Sequence, residues 1–296
     1  MEHINWYPGH MKKTRELIRD NLKLCDIVIE VIDARIPVSS RNPIIDELVG
    51  EKPRIIVLNK KDLADAEENR KWIRKLSDDR TQAMDLNCMT GDGVKQLLNL
   101  LKSEQNRITQ EKNRQRENTA GASGDARAAV MRSKPLRMMI AGVPNVGKSS
   151  LINRLTGKKS TKTGDRPGVT KGKQWLTLAG GMQLLDTPGI LWPKFEDPQV
   201  GRNLAYCGSI RDEILDISEL ALAFIGDMQV QYPELLMERY KLAEIAETPL
   251  ENMEEIARKR GFILPGKRID YERCARTVLD EFRGGKLGRI TLEKAE

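Results

Sequence analysis

The sequence is poor in aromatic residues, and its cysteines are few and scattered. Only 4% of the 296 residues are Phe, Trp or Tyr, which argues against a sheet of stacking platforms for single-stranded RNA. No C-x-x-C pair occurs, so neither a zinc site nor a disulfide framework is expected from the four cysteines, Cys25, Cys88, Cys207 and Cys274. A reducing compartment is the simplest setting for such a chain.

Long apolar runs are also absent. The apolar stretches are short and contain charges, so we expect no segment that crosses a membrane and no membrane partner. The opening residues, MEHINWYPGHMKK, lack the apolar core of a signal peptide and suit a transit peptide poorly. With 39% hydrophobic and 31% charged residues, the composition indicates a soluble, globular protein, which we expect to be cytoplasmic.

Positive charge is what the sequence has in excess. The formal net charge is +7, which favours a polyanionic partner. The residues 258–289 contain only four acidic side chains but ten basic ones: Arg258, Lys259, Arg260, Lys267, Arg268, Arg273, Arg276, Arg283, Lys286 and Arg289. Such a run predicts contacts with nucleic-acid phosphates, although an ordinary solvated face has the same composition.

The first two thirds of the chain alternate between strand and helix patterns. Strands are predicted at 25–34, 54–60, 81–87 and 137–143, with a strand pair over 173–189 that turns at Gly180-Gly181. Helical patterns separate them at 42–50, 65–77 and 150–157, and a long helix is predicted beyond Gly93 towards 117. Because strands alternate with helices, we predict an α/β domain with a mostly parallel sheet.

The last third has a different character. Strand signals stop near residue 200, and the segments that follow have helical spacing, with Gly261 as a predicted helix C-cap. We therefore predict a first domain over 1–200 and a small all-α domain over 205–296. A polar stretch rich in small residues indicates a linker at about 103–136 within the first domain.

A phosphate-binding loop is predicted at GVPNVGKSS, which begins at Gly142. The stretch fits G-x-x-x-x-G-K-[ST], in which backbone N–H groups surround phosphates, the lysine contacts the β and γ groups and the serine ligates Mg²⁺. The predicted contacts are Asn145, Val146, Gly147, Lys148, Ser149 and Ser150. The alternative is a structural glycine turn with an exposed lysine, but the position between a strand and a helix favours the phosphate loop.

Two further groups complete a predicted magnesium and γ-phosphate site. In D-T-P-G, Asp186 can hold Mg²⁺ through water and the Gly189 amide can meet the γ-phosphate. Between this motif and the phosphate loop, GDRPGVTKG supplies Thr170 as a second Mg²⁺ hydroxyl in a loop that γ-phosphate would order. Thr170 as an ordinary loop threonine, and D-T-P-G as an ordinary turn, are the alternatives.

The stretch IIVLNKKDL predicts a reader of guanine. Asp62 can accept both N1–H and the 2-amino group of guanine, whereas adenine would leave its carboxylate unpaired, so an ATPase is disfavoured. Asn59 can bind the base edge and tie its loop to the phosphate loop, and the stem of Lys60 can cover the base; Lys61 completes the motif. A second base loop is predicted at NCMTGDG, with Asn87-Cys88 where Ser-Ala is commoner.

The order of these motifs is unusual. The base reader precedes the phosphate loop, whereas moving residues 25–100 behind residue 190 restores the usual order of a GTPase. Function requires the loops to meet at the C-terminal edge of one sheet, and it does not require one order along the chain. We therefore predict a circularly permuted GTP-binding domain rather than a coincidence of motifs.

This order, together with INWYPGHMKKTREL at the start and DARIPVSSRNP at 33–43, resembles the circularly permuted GTPases of ribosome assembly. The resemblance covers nearly the whole chain, including GKRIDYERCARTVLDEFRGGKLGRITLE. It implies a P-loop GTPase domain with motif order G4-G5-G1-G2-G3, GTP hydrolysis stimulated by the ribosomal particle, and a helical domain on 23S rRNA. It also implies a role in late maturation of the large (50S) subunit.

The residue that would orient the attacking water is not evident. Many GTPases place a glutamine after D-x-x-G, but Ile190, Leu191 and Trp192 follow here and none can do this. The resemblance implies His10 instead, with Lys148 and Thr170 completing the catalytic set; the alternative is that His10 caps a helix or contacts RNA. It also implies K⁺ near Asn145.

We predict a Mg²⁺-dependent GTPase that binds the precursor of the large ribosomal subunit and uses GTP and GDP states to control docking and release. Two alternatives stay open. A generic GTP-dependent switch on a protein partner would give no RNA crosslinks within 258–289. A scaffold that only holds nucleotide would show background turnover even with 50S particles.

Overall fold

The computed structural model describes residues 15–16, 18–123, 135–157, 175–178, 180–187, 189, 191–192 and 195–295. Within these ranges the first domain is built on one six-stranded sheet. In chain order its strands are β1 (Ile27–Asp33), β2 (Arg54–Asn59), β3 (Thr81–Leu86), β4 (Arg137–Ala141), β5 (Trp175–Thr177) and β6 (Gln183–Asp186).

The sheet has the order β3-β2-β1-β4-β6-β5. All neighbouring strands are parallel except β5, which pairs with β6 in the antiparallel sense through the predicted glycine turn. The prediction of a mostly parallel α/β sheet is therefore confirmed. Strands β1, β2 and β3 from the first half of the chain form one side of the sheet and β4, β5 and β6 form the other, and the two sides meet where β1 pairs with β4. The carboxyl ends of β1, β2, β3, β4 and β6 share one edge.

Side chains of the central strand alternate between the two faces of the sheet, as the pleat requires. Ile27, Ile29 and Val31 pack with the first helix after β3 and with the helix that leaves β4. On the opposite face, Val28 and Ile32 belong to separate apolar clusters. The flanking helices are α1 (Pro43–Val49), α2 (Ala66–Leu76), α3 (Val94–Ser123) and α4 (Lys148–Thr156).

The helix predicted beyond Gly93 is present and continues past its expected end near 117. It is α3, which spans 30 residues to Ser123 and so extends into the predicted linker. The stretch from Lys102 to Ala120 is rich in Glu, Gln, Lys and Arg and contains neither Gly nor Pro, so its intrinsic helix propensity outweighs its lack of an apolar stripe. The remainder of the linker, 124–134, lies outside the described residues.

The second domain consists mainly of five helices, α5 (Pro198–Tyr206), α6 (Ile217–Gln231), α7 (Pro233–Tyr240), α8 (Pro249–Arg260) and α9 (Tyr271–Arg283). A capping box between Thr248 and Glu251 begins α8, and Gly261 ends it with φ +69° as predicted. Phe224 of α6 lies at the centre, with its ring 5.2 Å from that of Tyr206 and 4.7 Å from that of Phe282.

A short hairpin corrects the prediction that this domain is entirely helical. Strands β7 (Ile263–Leu264) and β8 (Arg268–Ile269) pair in the antiparallel sense after α8. Their turn places Gly266 and Lys267 at positive φ, of +78° and +60°. Two-residue strands are too short for an alternating pattern, so only the Pro-Gly pair at 265–266 carried a turn signal.

The second domain packs directly onto the first. Residues of α6 and α9 belong to the same buried cluster as Ile29 and Val31 of the sheet. Beyond α9 the chain returns to the sheet, where Ile290 N–H donates to the Leu63 carbonyl at 2.9 Å. Within the described part of the chain, no helix combines the length and apolar character needed to cross a bilayer.

Candidate functional site

Four loops that carry the predicted motifs meet at the carboxyl edge of the sheet. They follow β2 (60–65), β3 (87–93), β4 (142–147) and β6, where residues 187 and 189 are described. The strands that precede them are parallel neighbours or next neighbours, so the loops emerge side by side although their sequence order is permuted. Among the predicted site residues, His10 and Thr170 lie outside the described residues.

The phosphate loop has the backbone that its glycines permit. Gly142 and Gly147 adopt φ +148° and +102°. A Cβ at Gly142 would lie 2.3 Å from the Val31 carbonyl oxygen, and one at Gly147 would lie 2.2 Å from the Asn59 side-chain nitrogen. Both positions therefore require glycine for close approach of neighbouring strands and loops, as well as for the turn itself.

Asn59 joins three of the four loops. Its side-chain Nδ2 donates to the Val146 carbonyl at 2.7 Å, and its Oδ1 accepts from the Cys88 backbone N–H at 3.0 Å. The residue is 3% exposed, so both bonds form in a site largely shielded from water. The base-reading loop, the second base loop and the phosphate loop are thus held together by one amide.

Lys148 occupies the interior of the phosphate loop. Its Nζ donates to the carbonyls of Gly142 at 3.0 Å and Val143 at 2.7 Å. Burial lowers the pKa of this ammonium to about 8, although the carboxylate of Asp186 opposes the shift. Gly189 lies against the same group, because a Cβ there would be 2.8 Å from Nζ. The lysine, the aspartate and the D-x-x-G glycine therefore form one compact cluster.

The donors around this cluster suit a magnesium ion. Asp186 offers a carboxylate, and burial raises its pKa while Lys148 opposes that rise. Ser149, at the start of α4, offers a hydroxyl. No group of three or more His, Cys, Asp or Glu side chains able to hold a metal exists in the described ranges. One hydroxyl and one carboxylate match the preference of Mg²⁺ for a few hard oxygen ligands completed by phosphate oxygens and water.

The base-reading loop directs its side chains differently. Asp62 is exposed at the edge of the sheet, whereas Lys60, at φ +63°, places Nζ 2.8 Å from the Asp33 carboxylate. Lys61 turns towards the second base loop, where its Nζ lies 2.8 Å from Asp92. Lys61 therefore holds two loops together through its side chain, and Asp62 is left facing solvent.

The second base loop is shaped mainly by Asn87. Its Oδ1 accepts from the backbone N–H groups of Met89 at 2.7 Å and Thr90 at 3.2 Å. Arg154 of α4 donates to the carbonyl of Cys88 at 2.9 Å. Burial raises the pKa of the Cys88 thiol to about 12, so its side chain stays neutral and its backbone N–H contacts Asn59.

Two buried residues at the end of β1 were missed by the sequence reasoning. The Asp33 carboxylate accepts hydrogen bonds from Nε and Nη2 of Arg35 at 2.9 and 2.8 Å. It also forms an ion pair with Lys60. Burial opposes ionisation of Asp33, but Arg35 and Lys60 hold its pKa well below the usual range. The signal was present in the sequence, since a carboxylate directly after a buried strand lies at the ligand-binding edge of a parallel sheet.

The phosphate loop also contacts the second domain. Asn145, at φ +62°, donates its side-chain amide to the Gly208 carbonyl at 2.7 Å. Ser209 donates its hydroxyl to the Pro144 carbonyl at 2.9 Å. After the D-T-P-G motif, Leu191 is buried and the Trp192 ring packs edge-on against Phe195 with centroids 5.0 Å apart. Both side chains are therefore engaged in apolar packing.

Comparison with known proteins gives matches to one group of GTPases. The family described as 50S ribosome-binding GTPase matches residues 137–254. The chain is 45% identical over 293 residues to ribosome biogenesis GTPase A of Bacillus cereus, covering 99% of this chain and 94% of that protein. It is 32% identical over 309 residues to mitochondrial ribosome-associated GTPase 1 of Bos taurus, covering 98% of this chain and 88% of the other.

A solved structure is similar over the same length. The GNP-bound crystal structure of YlqF from T. maritima superposes with a TM-score of 0.62 and 27% identity. The match covers 96% of this chain and 99% of that one. The resemblance in fold therefore extends across both domains.

The buried ammonium of Lys148 predicts proton uptake when GDP binds. In the free protein its pKa is about 8, and diphosphate oxygens nearby would raise it. At pH 8 we expect calorimetric titrations in two buffers of different ionisation enthalpy to give uptake of about half a proton per GDP. Uptake of zero would contradict the burial of a titrating lysine at the phosphates.

The lowered pKa of Lys148 also sets the direction in which stability changes with pH. Because the folded-state pKa of Lys148 is depressed, the unfolded chain binds more protons between about pH 8 and the ordinary lysine pKa. The contribution of this group to the free energy of unfolding of the nucleotide-free protein should therefore rise with pH across that window.

Proposed function

The chain belongs to the ribosome biogenesis GTPase A family, and from this premise we propose that it hydrolyses GTP during late maturation of the large (50S) ribosomal subunit. In this proposal the nucleotide state controls docking on, and release from, the subunit precursor. Family membership confirms the predicted circularly permuted P-loop GTPase fold and the predicted GTPase activity. The cytoplasm is the proposed compartment, since that is where bacterial ribosomes are assembled.

The contact of Asn59 with both the phosphate loop and the second base loop carries the proposal. It supports a single nucleotide bound across the two halves of the chain. The base would lie at Asp62 and the phosphates at Lys148. A carboxylate that accepts two donors from guanine leaves adenine with an unmatched edge, which supports GTP over ATP.

The residues of the phosphate site would act mainly by position and charge. Lys148 would exchange its two carbonyl acceptors for β- and γ-phosphate oxygens, which stabilise its charged form. Ser149, Thr170 and Asp186 would hold Mg²⁺, which neutralises the charge that develops on the phosphates when it is bound. The Gly189 amide would contact the γ-phosphate. K⁺ beside Asn145 is a further part of the proposal.

The attacking water needs a polar group that the described part of the site does not offer after D-T-P-G, where Leu191 and Trp192 are packed in apolar surroundings. We assign this role to His10, whose neutral imidazole can orient water at neutral pH. Turnover would then be slow until the ribosomal particle brings His10 and Thr170 to the nucleotide.

The second domain would bind 23S rRNA through its basic side chains. Several of the ten cations are engaged inside the protein: Arg283 pairs with Asp212 at 2.7 Å, and Arg260 pairs with Glu281 at 3.0 Å. In the described ranges, no ion pair is made by the exposed Lys267 and Arg268, which lie on the β7–β8 hairpin. The hairpin is therefore one part of the run that is suited to phosphate contacts.

Changing Asp62 to Asn tests the guanine reader. The amide cannot accept two donors, so we expect GDP affinity to fall by about ten- to a hundredfold and preference to shift towards xanthosine diphosphate. Fluorescence titration with both nucleotides measures this. Asp65→Asn, in the same loop, is the matched control, because asparagine also caps helices well. An unchanged preference for GDP in Asp62→Asn would contradict the assignment of guanine recognition to Asp62.

Changing His10 to Ala tests the water-orienting group. We expect kcat stimulated by 50S precursor particles to fall by about a hundredfold or more, with GDP affinity unchanged. The chain has two histidines, so His3→Ala is the matched control and should retain stimulated turnover. Wild-type turnover that stays at background with particles present would instead indicate a nucleotide-holding scaffold.

Removing the two hairpin cations tests the RNA partner. In Lys267→Ala/Arg268→Ala, affinity for rRNA should fall, and the slope of log K against log salt should shrink by about one to two. The control Arg70→Ala/Arg74→Ala removes the same charge from α2 and should leave the slope unchanged. Binding that is insensitive to salt in the wild type would contradict the electrostatic account and favour a protein partner.

A further inference from the structure

A segment of the second domain reaches the base-reading loop. We call residues 288–295 the carboxy-terminal strap. It runs along the loops that follow β1 and β2, with Ile290 N–H donating to the Leu63 carbonyl at 2.9 Å and Leu292 N–H donating to the Arg35 carbonyl at 2.8 Å. The strap therefore adds backbone hydrogen bonds to the edge of the sheet where the predicted base site lies.

Thr291 of the strap holds the loop by a side-chain contact as well. Its hydroxyl oxygen accepts from the Asp65 backbone N–H at 3.0 Å, and Thr291 is fully buried. Ala64, the residue before Asp65, is buried as well. Leu63 packs closely on the turn after α9, because a Cβ at Gly285 would lie 2.5 Å from the Leu63 side chain. The residues that follow the exposed Asp62 are thus held by the second domain.

The strap is anchored in turn to α6 of the second domain. Tyr232, which follows that helix, donates its hydroxyl to the Thr291 carbonyl at 2.9 Å and accepts from the Thr291 N–H at 3.1 Å. The ammonium of Lys294 lies 4.4 Å from the centre of the same ring. Because Tyr232 bonds both backbone groups of Thr291, a shift of this part of the domain would be transmitted to the residue that holds Asp65.

A second route leads to the same loop through β1. The buried Arg35 guanidinium lies 4.8 Å from the centre of the Phe282 ring in α9 and pairs with Asp33. Asp33 also receives Lys60, the residue proposed to cover the base. The lysine and the aspartate of the base reader are therefore each connected to the second domain by a short chain of contacts.

We propose that the carboxy-terminal strap is part of the guanine site, and that Thr291 is a positioning residue that presents Asp62 to the base. The inference rests on the proposed function in one respect, namely that Asp62 reads guanine. A ligand that displaces the second domain would then weaken nucleotide binding, and nucleotide would weaken that displacement by the same factor. Release of GDP would be coupled to the way the second domain is held on its partner.

Thr291→Val in the full-length protein tests the proposal, because it removes the hydroxyl oxygen and nearly preserves the shape. Competition against a fluorescent GDP gives dissociation constants for GDP and for inosine diphosphate, which lacks the 2-amino donor. We expect GDP to bind up to about tenfold more weakly. The preference for GDP over inosine diphosphate should fall towards one, which a general loss of stability would not cause.

Three further variants complete the test. Thr291→Ser keeps the acceptor and should restore both values, whereas Thr277→Val makes the same change on α9 away from the loop and should have no effect. Tyr232→Phe leaves the Thr291 hydroxyl in place but removes both hydrogen bonds between Tyr232 and the Thr291 backbone, so it should lower GDP affinity and the preference as well. It also provides the readout if Thr291→Val does not fold.

The outcomes separate the two proposals. Wild-type preference in both Thr291→Val and Tyr232→Phe would overturn the role of the strap and leave the guanine reader intact. A wild-type protein that binds GDP and inosine diphosphate equally would overturn the guanine reader itself. Loss of preference in the Thr277→Val control would overturn the assignment to Thr291, because any change in the second domain would then suffice.

Discussion

The side chain of Asn59 is the interaction on which the two halves of the site depend. A primary amide offers both donors and an acceptor, and here one of each is used to join loops that the sequence separates by more than eighty residues. Buried at the end of β2, the amide has few other partners, so losing either loop would leave a polar atom unsatisfied. Both hydrogen bonds of the Asn59 amide can therefore form only when the loops of the site are in place.

The parallel sheet makes that requirement achievable. Strands from before and after the long helix α3 are neighbours at β1 and β4, so a chain cut and rejoined elsewhere still places the same loops along one edge. Strand order in space matters for this site, whereas strand order in sequence decides only where the connections run. The 30-residue α3 is part of such a connection, and its length reflects the helix propensity of its residues rather than a core that it must fill.

Much of this arrangement could be predicted from the sequence because its signals are local. The strands, the glycines of the phosphate loop and the placement of Lys148 between a strand and a helix all follow from patterns of fewer than ten residues. What could not be predicted depends on partners far apart in the chain. The pairing of Asp33 and Arg35 was readable, but its contact with Phe282 was not, and neither was the contact of Thr291 with Asp65. Contacts between residues that are far apart in the chain produce no periodic pattern in a single sequence, so they could be identified only in the folded structure.

The position of β1 at the middle of the sheet has a consequence for biosynthesis. Its pairing partner on one side, β2, follows closely, but β4 on the other side is translated only after the whole base-reading half and α3. At elongation speeds of roughly 5–20 residues per second, one edge of this fully buried strand stays uncovered on the nascent chain for roughly 5–20 s. An unpaired strand edge can pair with strands of other chains. This protein would therefore need its β1 edge to be shielded from such pairing while it is synthesised on the ribosome.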